Sequence, residues 1–91
     1  MSVTEQHIAD LYNCIVKLKT LDECKQFFDD LCTPKEVENM AQRVSAAKLL
    51  LQGKTYEEVI KETDISSATL SRVSKCVKYG NGYRTTLKDE N

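Results

Sequence analysis

The sequence predicts an all-α protein of five to six helices, on three observations. Glycine and proline occur three times and once in 91 residues, so long helical runs stay unbroken and the turn chemistry of a sheet is scarce. Apolar residues recur at three- and four-residue spacing along most of the chain, which is the helical period and not the alternation of a strand. Four hydroxyl residues, Ser2, Thr20, Thr33 and Thr55, each precede a glutamate by three positions, at Glu5, Glu23, Glu36 and Glu58. Such a pair satisfies two otherwise orphaned backbone N–H groups and so marks a helix start. At 41% hydrophobic content the chain makes one domain, small enough that a partner chain would help to bury its apolar faces.

The first helix follows Ser2 and turns Ile8, Leu11, Tyr12, Ile15 and Leu18 to one side. Thr20 starts the second, where Leu21, Cys24, Phe28 and Leu31 repeat near heptad spacing and Phe27 widens the stripe. Both carry too much apolar surface to stand alone. In a lone subunit they would fold back on the third helix; in a dimer they could embrace the partner. Thr33 caps that third helix, Pro34 occupies its first turn where no amide partner is needed, and Gly53 ends it after about Gln52. Val37, Met40, Ala41, Val44, Ala47, Leu50 and Leu51 give it a broad apolar face suited to a bundle core or a dimer axis. Arg43 and Lys48 lie off that face.

From Thr55 to Lys78 the chain reads as a helix-turn-helix. A short helix of about two turns starts at Tyr56. Asp64, tolerant of left-handed backbone, marks the turn, and Ser66 caps the next helix with Ile65 and Leu70 as its hydrophobic staple. Leu70, Val73 and Val77 then face inward against Val59, Ile60 and Ile65, leaving Ser66, Ser67, Thr69, Ser71 and Arg72 outside. Short hydroxyl side chains allow close approach to a major groove, where Ser, Thr and Arg bond to base edges or phosphates. Charge supports this placement. The formal net charge is −1, but residues 1–53 hold six Lys/Arg against eight Asp/Glu, whereas 65–88 hold five (Arg72, Lys75, Lys78, Arg84, Lys88) against none. Omitting acids where phosphates would sit is what nucleic-acid binding requires. Ser66, Ser67, Ala68, Thr69 and Ser71 are therefore expected at the bases, and Arg72, Lys75 and Lys78 at the phosphates. Beyond Lys78, Tyr79 to Tyr83 should stop the helix, and residues 79–91 read as a polar tail whose final helix would be a frayed turn or would await DNA.

The stretch Leu31 to Lys78 resembles the Trp repressor family, in particular the small Trp-repressor-related proteins of Gram-positive bacteria. The resemblance covers about half the chain. Its specific pieces are Leu31-Cys32-Thr33-Pro34, Gln42-Arg43-Val44 and Ala68-Thr69-Leu70-Ser71-Arg72, in family order and nearly family spacing, with about one residue fewer between Gly53 and Thr55. It implies a Trp-repressor-like fold, an intertwined homodimer joined through residues 1–53, a helix-turn-helix over 55–78 that binds double-stranded DNA, and a transcriptional regulator, most simply a repressor. It also implies an effector pocket between the third helix and the recognition helix, in which Arg43 and Arg72 match the arginines that hold tryptophan and Thr33 matches a pocket threonine. Arginine suits that task, as both a stacking face and a forked carboxylate donor. Two positions depart from the pattern. Val73 follows Arg72 where Trp repressors have a glycine that leaves room for the indole, and Cys76 replaces a serine. A branched side chain should fill that space, so the expected effector is a smaller molecule than tryptophan, or none, with Arg72 then a phosphate contact and Arg43 a surface residue.

Other classes fare less well. Cys14, Cys24, Cys32 and Cys76 form no C-x-x-C and have only His7 as an imidazole companion, so no metal site is expected. They read instead as reduced, buried thiols of a cytoplasmic protein. No apolar run is longer than Leu49–Leu51, far short of a membrane span. Neither a catalytic constellation nor a cofactor loop is present, so no enzyme is expected. The competing reading is a helical protein-interaction module that reuses a helix-turn-helix without binding DNA.

Overall fold

The computed structural model describes residues 2–88. Its described residues contain six helices and no strand: α1 (Val3–Val16), α2 (Leu21–Leu31), α3 (Pro34–Leu51), α4 (Tyr56–Thr63), α5 (Ser67–Tyr79) and α6 (Gly82–Leu87). The chain divides into two compact units, residues 1–35 and 36–91.

In the first unit Ser2 and Thr20 act as the N-caps the sequence predicts. The Ser2 hydroxyl accepts from the Glu5 amide at 3.1 Å. Thr20 and Glu23 form a reciprocal box, Glu23 N–H donating to Thr20 Oγ1 at 3.1 Å and Thr20 N–H to Glu23 Oε1 at 3.2 Å. Neither α1 nor α2 has a buried residue. Of the predicted stripes, Ile8, Tyr12, Leu21 and Leu31 are exposed, Tyr12 to 62% and Leu21 to 85%, while Leu11, Ile15, Leu18, Cys24, Phe27 and Phe28 are half-buried.

The second unit carries the buried core. Ala46 and Ala47 of α3 meet Val59 of α4, Ile65 of the turn, Leu70, Val73 and Val77 of α5, and Leu87 of α6. Two small alanines in α3 admit close approach of the helix-turn-helix, because short side chains reduce the interaxial distance. This shifts the predicted face of α3. Ala46 is fully buried, whereas Ala41 and Val44 are exposed; their part of the stripe looks away from this core. Ile60 is likewise 37% exposed instead of packed beneath the recognition helix. The cysteines also depart from expectation: all four are free thiols, but Cys14 is exposed and Cys24, Cys32 and Cys76 are only half-buried.

The largest correction concerns the tail. Residues 82–87 form a helix that packs, with Leu87 buried and Tyr83 against the core. Arg84 anchors it, its Nε–H donating to the Val77 carbonyl near the end of α5 at 2.7 Å. One buried leucine and one charge-assisted bond suffice to hold a six-residue helix that its polar composition makes look frayed. Residues 89–91 of the expected tail lie outside the described residues.

Candidate nucleic-acid interface and effector cleft

The interface begins with the capping of α4. Thr55 N–H donates to Glu58 Oε1 at 2.9 Å and Glu58 N–H to Thr55 Oγ1 at 3.2 Å. These bonds to the Thr55 backbone and hydroxyl hold the Glu58 carboxyl below its ordinary range. The other end of α4 closes at Asp64, whose φ of 59° is left-handed and whose N–H donates to the Ile60 carbonyl at 2.8 Å. Thr63 Oγ1 donates to the Val59 carbonyl at 2.7 Å and accepts from the Ile65 N–H at 3.3 Å. The three-residue turn is thereby shaped by the Thr63 hydroxyl at the end of α4 and by the Asp64 amide.

Ser66 opens α5 from extended backbone, accepting from the Thr69 N–H at 3.2 Å and donating to Thr69 Oγ1 at 2.9 Å. Leu70, Val73 and Val77 point inward, as does Ser74. The opposite side presents Ser66, Ser67, Ala68, Ser71, Arg72, Lys75 and Lys78, all exposed, with Thr69 half-buried. No acid occupies the first turn of α5, unlike those of α1 to α4. A helix N-terminus without competing carboxylates offers free amides and a positive dipole end to phosphate. Tyr79 is 84% exposed beside Lys78, while Arg84 is committed to its bond at Val77.

A cleft of about 460 Å³ lies between α3 and α5, lined by Arg43, Ala68, Thr69, Arg72, Val73, Cys76 and Tyr83. Four of the five predicted effector residues share it. Thr33 belongs to the first unit, ahead of α3. Val73 is 1% exposed and forms part of the wall. A second, more apolar cleft of about 530 Å³ adjoins Val44, Cys76, Gly80, Tyr83 and Leu87. Tyr83 and Cys76 thus wall both clefts. The sequence offered no signal for this role of Tyr83, since it depends on the docking of α6.

A helix-turn-helix that projects an acid-free face of hydroxyls, arginine and lysines from an all-helical frame defines the class of DNA-binding regulators. Comparison with known proteins agrees. Residues 6–91 match the family described as Trp repressor protein, and the chain belongs to that family. It is 47% identical over 76 residues to the uncharacterized protein YerC of Bacillus subtilis (strain 168), covering 84% of this chain and 73% of YerC. Among solved structures it resembles that of a candidate Trp repressor from Staphylococcus aureus, with a TM-score of 0.89 and 36% identity over all of this chain and 95% of the other. A TrpR-like protein from Eubacterium eligens gives a TM-score of 0.87 and 38% identity, covering 92% and 88% of the two chains.

Proposed function

We propose that this protein is a homodimeric, sequence-specific transcriptional regulator of the cytoplasm, acting as a repressor by laying α5 in the major groove. The observation that carries this reading is the composition of the exposed side of α5, with hydroxyls at its start, Arg72, Lys75 and Lys78 along its length, and no acid from Ile65 to Lys88. Ser66, Ser67, Ala68, Thr69 and Ser71 read base edges; Arg72, Lys75 and Lys78 hold phosphates. Thr69 does so from a fixed rotamer, since its hydroxyl is tied to Ser66. The cleft beside Arg43 and Arg72 takes a small carboxylate effector and not L-tryptophan, because Val73 stands where the matching family glycine leaves space for an indole.

Titration of duplex DNA at several salt concentrations tests the reading. Each lysine replaced by alanine, at Lys75 or Lys78, should weaken all duplexes alike and flatten the salt slope by about one unit, whereas Ser67→Ala or Thr69→Ala should change sequence preference. Unaltered DNA affinity in the Lys75/Lys78 double variant would remove the phosphate assignment. No salt-dependent duplex binding, even at low salt, would favour the protein-interaction module instead.

A further inference from the structure

Gln42 sits half-buried on α3, one residue before Arg43, and its Nε2 donates to the Thr63 carbonyl at 3.0 Å. Thr63 is the last residue of α4, so that carbonyl is one of those a helix leaves without an intrahelical donor. The bonds of Thr63 Oγ1, Ile65 N–H and Asp64 N–H at this turn all join residues within four positions of one another. The Gln42 bond spans 21. Local bonds shape the turn; this one locates it on α3. Neighbouring positions of a helix point roughly 100° apart, which lets Gln42 reach the end of α4 while Arg43 lines the cleft beside α5. A single turn of α3 therefore bonds to the end of α4 and faces the cleft beside α5.

We propose that Gln42 is a positioning residue for DNA reading: by fixing the Thr63–Asp64 turn to α3 it sets the direction in which α5 leaves that turn. This rests on the reading of α5 as the DNA-contacting helix. The chemistry is specific, because a carbonyl needs a donor and the amide nitrogen supplies one, whereas a glutamate of the same length sets lone pair against lone pair until it is protonated.

The test uses a duplex selected by the unaltered protein from a random pool, a scrambled duplex, and the variants Gln42→Leu and Gln42→Glu. Near neutral pH both variants should bind the selected duplex about five- to tenfold more weakly, the effect of one lost, partly buried hydrogen bond. Affinity for the scrambled duplex and the salt slope should stay unchanged, since no phosphate contact is removed. Relative to the unaltered protein, Gln42→Glu should recover as the pH falls through the carboxylic-acid range of about 4 to 5, and Gln42→Leu should not. Unchanged selectivity, or equal loss on both duplexes, would overturn the proposal. If the unaltered protein prefers no duplex, the DNA-reading assignment itself fails. Amide exchange without DNA then still decides on Gln42: faster exchange at Asp64, Ile65 and Thr69 in Gln42→Leu at an unchanged melting temperature supports the strut, and unchanged exchange refutes it.

Discussion

Glu58 illustrates how a single exposed side chain can contribute to the start of a helix whose one buried residue is Val59. Its carboxyl lies below the ordinary range through the Thr55 bonds, so it favours the folded chain above its unfolded pKa. That contribution is lost as pH falls through the lower, folded value. The melting temperature of the unaltered protein minus that of Glu58→Gln should accordingly be constant above about pH 5 and shrink below about pH 4. A difference that stays constant into acid would disprove the assignment. Val73 raises the question of the effector. In calorimetry L-tryptophan should give no saturable heat with the unaltered protein, because an added branched side chain in a packed site typically costs about 1–3 kcal/mol, or roughly tenfold to a hundredfold. Heat gained in Val73→Gly would show that the family pocket persists behind one valine, while tight binding to the unaltered protein would refute the steric argument.

At the scale of elements, α6 separates a packed structure from a polar tail. Leu87 is 7% exposed in the same cluster as Val73 and Val77, and truncating a core leucine costs about 2–4 kcal/mol. Urea denaturation of Leu87→Ala should show a loss of that order. A frayed helix would show almost none. The turn into α6 has its own constraint at Gly80, where a Cβ would lie 2.8 Å from the Cys76 carbonyl that already accepts the Gly80 N–H at 2.9 Å. Backbone cannot yield as a flexible side chain does, so Gly80→Ala should lower stability by about 1–3 kcal/mol without altering the exposed side of α5. The same helix ends explain why α4 can be only eight residues long: a side-chain box closes one end, and Asp64 with Gln42 closes the other.

For the whole molecule, the uneven distribution of burial matters most. Among the described residues, the buried ones lie in α3 to α6 or their turns, and none in α1 or α2. Helices of 14 and 11 residues with partly open apolar stripes are marginal in water by themselves. A second copy covering residues 8–51, as proposed above, would account for those stripes, and two-fold symmetry would set paired α5 helices about 34 Å apart, one DNA turn. Sedimentation at micromolar concentration should give a dimer, and a well-folded monomer would sink the idea.

The starts of the first five helices, the left-handed Asp64 and the inward Leu70, Val73 and Val77 of α5 follow from the sequence by itself, because each is decided within a few positions by capping chemistry, backbone preference or helical period. The acid-free stretch that motivates the DNA-reading proposal is likewise legible there, since it is a matter of which charges are omitted. Tertiary structure alone decided that Ala46 and not Val44 or Ala41 enters the core, that α6 docks through Leu87 and Arg84, that Tyr83 walls both clefts, and that Gln42 reaches Thr63. Those contacts join residues 7 to about 40 positions apart, and their partners are chosen by which surfaces fit closely enough to exclude water, a property of assembled helices that no local pattern encodes.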